Sequence, residues 1–109
     1  MIETTALTTA AERLADRLRA MPHSRLRRGA AAQGLALARE LADRAQLLEW
    51  PEREPLTMPD AGPFAVGDQL SVAAGELASA LDRYAPPPRA EDQLAWALRR
   101  VAEVGRDCH

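Results

Sequence analysis

Apolar residues recur at alternating spacings of three and four along four segments of the chain. This spacing places apolar side chains on one face of an α-helix, and nothing alternates with the period of two typical of a strand. The predicted helices span residues 4–21, 24–50, 64–84 and 89–105. Because amphipathic helices bury their apolar stripes against one another, the sequence predicts an all-α, antiparallel four-helix bundle, with residues 1–109 forming a single domain.

The links between the predicted helices are set by proline. Proline disfavours helical geometry in the residue before it, so Pro22 and Pro51 end the first two helices, and Ser24 is a candidate N-cap for the second. Residues 51–63 contain four prolines and no helical period, which predicts a loop that permits either an up-down-up-down order or a crossover. The short first and third links favour antiparallel neighbours. Gly105 ends the last helix, leaving residues 106–109 as a predicted mobile tail.

Composition and net charge argue against several classes of function. The net charge of −2 argues against general binding to nucleic acid or to anionic membranes, and no apolar run approaches the ~20 residues that span a bilayer. The 14 basic residues are all arginine, a bias that reflects codon usage in a GC-rich genome and says little about function. A single cysteine, Cys108, excludes an internal disulfide, and the N-terminus lacks the pattern of a signal peptide. We therefore expect a cytoplasmic protein.

The second predicted helix carries a row of small residues at every fourth position, with a leucine beside it that lies away from the main apolar stripe. Small residues in such a row allow another helix to approach closely. Two interpretations remain open: this helix packs between two helices of its own bundle, or it contacts a partner helix or a second copy of the chain. The candidate partner-binding residues on this helix are Ala30, Gly34, Leu35, Ala38 and Ala42.

Arginines cluster around Pro22, at the predicted start of the second helix. Exposed backbone N–H groups flanked by arginines can hold a phosphate or carboxylate, so Ser24, Arg25, Arg27 and Arg28 form a candidate anion-binding site. The alternative is compensation within an up-down-up-down bundle. In that arrangement the acidic residues Asp82, Glu91 and Asp92 lie at the basic end, and Arg99, Arg100 and Arg106 lie at the acidic end.

Trp96 lies on the polar face of the fourth predicted helix, close to Arg100. Tryptophan is enriched among binding hot spots, so Trp96 and Arg100 are candidate partner-binding residues. The alternative is that Trp96 lies across a neighbouring helix or beneath the proline-rich loop.

The sequence contains no pattern that predicts catalysis, and no cofactor is expected. Its two histidines are too few for a di-iron bundle site, and Cys108 with His109 cannot complete a structural zinc site. A helix-turn-helix is rejected because Glu40 and Asp43 occupy its apolar positions. The sequence predicts a non-enzymatic helical module for protein–protein interaction or regulation, either homodimeric or bound to another protein. The alternatives are a regulatory protein that binds a ligand or nucleic acid through the Pro22 arginines, and an enzyme whose site is completed by another subunit.

Overall fold

The computed structural model describes residues 3–108, which form four long helices and contain no strand. This confirms the predicted all-α, four-helix fold. A helical turn, His23–Arg25, and a π-helical turn, Leu26–Ala30, precede the second long helix, and a 3-10 turn, Pro63–Ala65, precedes the third. The long helices are α1 (Thr5–Ala20), α2 (Ala31–Glu49), α3 (Val66–Tyr84) and α4 (Pro87–Asp107).

The second helix does not run unbroken from residue 24 to 50, as the sequence predicts. Gly29 has a φ of +139°, which L side chains rarely adopt, and this kink separates the turn around Arg25 from α2. Ser24 does not cap a helix either, because the capping position is Pro22 and Ser24 lies inside the turn. The apolar period continues through the kink, so the pattern alone predicts one continuous helix.

Contacts at the helix ends define the direction of each helix. Thr4, before α1, donates to the Asp82 carboxylate at the end of α3, so α1 and α3 are antiparallel. The Tyr84 hydroxyl donates to Glu49 over 3.1 Å, which brings the C-terminal ends of α2 and α3 together and makes this pair parallel. Arg17, near the end of α1, reaches the C-terminal end of α4, so α1 and α4 are also parallel. The order is therefore up-down-down-up.

A crossover loop makes this order possible. Residues 50–62 return along the whole of α2, a distance of about 28 Å for its 19 residues, which a dozen extended residues cover easily. Side chains hold the loop on the bundle: Arg39 donates to the Met58 carbonyl over 2.8 Å, and the Gln46 amide bonds the backbone N–H and C=O of Leu56. The sequence permits this crossover but does not select it.

The core consists of leucine and alanine side chains from all four helices, with α3 between α1 and α2. The helices joined by the short first and third links are antiparallel as predicted, but α1 and α2 make few direct contacts, and the closest pair, α2 and α3, is parallel. Gly34 allows the close approach of α2 to α3, and Gly67 allows that of α3 to α1. A Cβ added at Gly34 would lie 2.6 Å from Val66 Cγ1, and one added at Gly67 would lie 3.0 Å from the Ala15 carbonyl oxygen.

The C-terminal end of α4 belongs to the bundle. The helix extends to Asp107, Cys108 is buried, and the Arg17 guanidinium donates to the carbonyls of Gly105 and Cys108 over 2.9 and 2.7 Å. Burial raises the pKa of the Cys108 thiol. The prediction of a tail beginning at residue 106 is therefore wrong for residues 106–108, while His109 lies outside the described residues.

Candidate functional site

The small-residue row of α2 faces the interior of its own bundle. Gly34 packs against Val66 of α3 and Leu18 of α1, and Leu35, Ala38 and Ala42 are buried. Ala30 is half-buried next to the core. Of the two interpretations of this row, packing within the bundle is the one found, so these residues offer no surface to a partner in this conformation.

Trp96 and Arg100 join α4 to α2. The Arg44 guanidinium carbon lies 3.8 Å from the centre of the Trp96 ring, a cation–π contact. Arg100 makes a bidentate ion pair with the Glu40 carboxylate at 2.8 and 2.9 Å, which raises the pKa of the guanidinium. Trp96 is partly buried against the core. It lies across a neighbouring helix, as one alternative from the sequence proposed.

The predicted anion-binding residues do not converge on one position. Arg25 and Arg28 line a small cavity beside Cys108, whereas Arg27 lines another beside Pro63. Ser24 lines neither cavity, and its turn is too short to present a full set of helix N-terminal amides. The four residues are exposed but separate.

The predicted charge compensation between the two ends is wrong. Because of the crossover, Asp82, Glu91 and Asp92 lie at the end opposite Pro22, together with Glu49. Arg106 lies on the Pro22 side, near Arg17. The molecule therefore has a basic end and an acidic end.

A groove between α2 and α3 is the larger of two open surface features that sequence reasoning missed. Its volume is about 660 Å³. The floor consists of small residues, and the apolar side chains that edge it are unusually exposed: Val72 at 59%, Trp50 at 43% and Tyr84 at 43%. The lining residues are Ala45, Gln46, Glu49, Trp50, Val72, Gly75, Glu76, Ser79, Ala80, Arg83 and Tyr84.

Gly75 distinguishes this groove from the packed part of the α2–α3 contact. A Cβ added at Gly75 would have no atom within 4 Å, in contrast to one added at Gly34. A glycine inside a helix costs about 1 kcal/mol relative to alanine, and nothing within the described chain requires one here. The sequence signal was available: Val72 and Gly75 interrupt the polar face of the third predicted helix.

A second groove lies between α1 and α4, on the opposite side of the bundle. It has a volume of about 540 Å³ and an apolar floor formed by Ala10, Leu14, Leu98, Val101 and Ala102. Its charged lining residues are all arginines: Arg13, Arg17 and Arg106. Arg17 is engaged by the carbonyls at the end of α4. Within residues 3–108, Arg13 and Arg106 make no ion pair.

Polar side chains also hold the helices together. Across residues 3–108, no three histidine, cysteine or acidic side chains come close enough to hold a metal ion. The main polar cluster joins α1 to α3: Arg19 pairs with Glu12, Asp16 and Asp68. Hydrogen bonds from Ser71 and Arg19 lower the pKa of Glu12. This cluster therefore fixes α1 against α3.

None of the helices within residues 3–108 is long and apolar enough to cross a bilayer. Comparison with protein-family models, with curated proteins and with solved structures finds no match to this chain. The two grooves are therefore the candidate functional surfaces of the chain.

Proposed function

We propose that this protein is a non-enzymatic helical interaction module that self-associates through the groove between α2 and α3. The second copy uses the same groove, related by a two-fold axis that passes near Ser79 and Ala80. Such an interface is isologous, so every contact occurs twice. The observation that carries the proposal is the position of Glu76 and Arg83, which lie two helical turns apart on the edge of α3 that lines the groove.

Charge on this edge is self-complementary. Glu76 and Arg83 lie two helical turns apart, and within residues 3–108 neither makes an ion pair. With the two α3 helices antiparallel across an axis near Ser79, Glu76 of each copy faces Arg83 of the other. The contact therefore forms two opposite-charge pairs and brings no like charges together at these positions.

The shape of the groove matches the same arrangement. Gly75 carries no side chain, and a Cβ added there would have no atom within 4 Å, so this edge of the groove leaves room for the second copy. Trp50 lies beside Tyr84 at the edge of the groove, so the contact also covers the exposed Val72 and Trp50 side chains. Aromatic anchors of this kind dominate the energy of many interfaces.

Sedimentation equilibrium of the full chain, from micromolar to millimolar concentration, tests the proposal. We expect a reversible dimer, because an interface restricted to two helices falls near or below about 1,200 Å² and belongs with weak complexes. Glu76→Arg and Arg83→Glu should each weaken dimerisation about tenfold, since each change turns both Glu76–Arg83 pairs between the copies into like-charge pairs. The double variant Glu76→Arg/Arg83→Glu restores both pairs and should recover the dimer.

Matched controls come from the exposed surface at the start of α4. Asp92→Arg and Arg89→Glu make the same charge changes outside the groove, and we expect them to leave dimerisation unchanged. A chain that stays monomeric at every concentration contradicts the proposal. So does a dimer that both charge reversals leave intact, or one that the double variant fails to restore.

The alternative of a ligand- or nucleic-acid-binding protein acting through the Pro22 arginines has weaker support. Arg25 and Arg28 point to a different cavity from Arg27, so they do not form one anion site. Binding of DNA with a steep salt dependence that is lost on reversal of these arginines would favour that alternative.

A further inference from the structure

We infer that the groove between α1 and α4 docks an acidic amphipathic helix from a protein partner. This surface shares no helix with the proposed dimer contact, so the inference does not depend on self-association. In a dimer formed through α2 and α3, both copies of the α1–α4 groove face outwards.

The apolar floor fits one face of a helix. Leu14 and Val101 are buried at its base, Leu98 is partly exposed, and Ala10 and Ala102 leave space above them. Helices that bind in grooves insert side chains at spacings of three and four, and these contact such a floor along one stripe. The groove lies between two parallel helices and is open along its length, which suits an elongated occupant.

The charge on the rim of the groove determines which charge a partner helix must carry. No carboxylate among residues 3–108 lines the groove, so an acidic side chain meets no repulsion from this part of the chain. Arg17 already donates to the carbonyls of Gly105 and Cys108. Arg13 on α1 and Arg106 on α4 therefore remain available on opposite sides of the floor. A helix carrying carboxylates on both flanks of its apolar stripe would meet an arginine on each side.

The lining favours a protein helix over nucleic acid. Proteins that bind single-stranded nucleic acid combine a basic groove with aromatic rings on which bases stack. In the part of the chain that the structure describes, no aromatic side chain lines the α1–α4 groove, and five of the nine lining residues are aliphatic. The net charge of the chain, −2, also provides no general attraction for phosphate.

Two synthetic peptides test the inference by fluorescence anisotropy with the full chain. The first is an amphipathic helix of about 18 residues, long enough to form helix, with leucine along one face and glutamate on both flanks. The second has lysine in place of every glutamate. We expect the glutamate peptide to bind at low salt and more weakly at high salt, and the lysine peptide not to bind.

Variants locate the binding site. Arg13→Glu/Arg106→Glu should weaken binding of the glutamate peptide at least about tenfold and allow the lysine peptide to bind. Arg27→Glu/Arg89→Glu changes the net charge equally elsewhere on the surface and should have no effect. Ala102→Trp fills the groove at an exposed position and should abolish binding without unfolding the chain, which circular dichroism verifies.

Each contrary outcome overturns the inference. The inference is wrong if the glutamate peptide does not bind, or if it binds the Arg13/Arg106 variant as well as it binds the control variant. It is also wrong if the peptide still binds the Ala102→Trp variant. Stronger binding of an oligothymidine or of anionic vesicles, lost with the same arginine reversals, would assign the groove to another class of partner.

Discussion

The two grooves lie on opposite sides of the bundle and differ in how they are built. The α2–α3 groove has a floor of small residues and carries both signs of charge, with Glu76 and Arg83 on one helix edge. The α1–α4 groove has a floor of larger aliphatic side chains, and its charged lining residues within 3–108 are all positive. A surface with both signs in a self-complementary order fits its own copy, whereas a surface of one sign requires a different partner.

Both grooves arise from the same feature of the topology. The crossover loop makes α2 parallel to α3 and α1 parallel to α4, so each groove runs between two helices that start at the same end. In an up-down-up-down bundle, the acidic residues near Asp82 would face the arginines around Pro22. The crossover separates these charges. The bundle therefore has a basic end and an acidic end, and the two grooves differ in charge.

The largest expected effect on stability comes from adding a side chain at the tightly packed part of the α2–α3 contact. Gly34→Ala places a Cβ 2.6 Å from Val66 Cγ1, so the helices must shift. Overpacking costs about 1–3 kcal/mol, which exceeds the roughly 1 kcal/mol gained from helix propensity. We expect a lower free energy of unfolding in urea and a disturbed α2–α3 groove. A variant as stable as the wild type would show that this contact is not tight.

The opposite result is expected for the open part of the same contact. Gly75→Ala adds a Cβ that meets no atom within 4 Å, so the chain should gain up to about 1 kcal/mol of stability in urea unfolding. The same change places a methyl group at the edge of the groove that the second copy contacts, and it should weaken dimerisation. A Gly75→Ala chain that loses stability, or that dimerises more tightly, would remove the distinction between Gly75 and Gly34.

A smaller effect concerns the cluster that holds α3 against α1, between the two grooves. Hydrogen bonds from Ser71 and Arg19 lower the pKa of Glu12, so this carboxylate stabilises the fold above its ordinary pKa of about 4.3 and ceases to do so as pH falls through the lowered value. Glu12→Gln should therefore reduce stability at neutral pH, and the difference should vanish in strong acid.

Thermal unfolding across pH, with Glu91→Gln as the exposed control, measures this effect. An equal loss at all pH values would mean that the Glu12 variant acts through packing rather than through charge.

Much of the fold follows from local patterns in the sequence. The leucine and alanine stripes identify the helices because a buried face requires apolar residues at helical spacing. Proline ends α1 at the expected place. The sequence does not predict the kink at Gly29, because an apolar period continues through it. It also does not predict that Arg17 anchors the end of α4, because the acceptors of Arg17 lie far away in sequence.

The candidate surfaces were harder to predict, since they depend on which helices become neighbours. The row containing Gly34 and Ala38 indicated close helix contact correctly, but its partner proved to be α3 of the same chain. Val72 and Gly75 stood on a polar face, and only the parallel placement of α2 and α3 turns them into the edge of a groove. Loop length permits two connection orders, and contacts between distant residues select one.

One measurement tests the central claim, which is that opposite faces serve different partners. Two-dimensional ¹H–¹⁵N spectra of the labelled full chain are recorded on dilution, and again during titration with the glutamate peptide. The account predicts that dilution shifts the amide signals of Val72, Gly75 and Glu76, and that the peptide shifts those of Arg13, Ala102 and Arg106. Shifts of the same residues in both experiments, or of neither set, would contradict it.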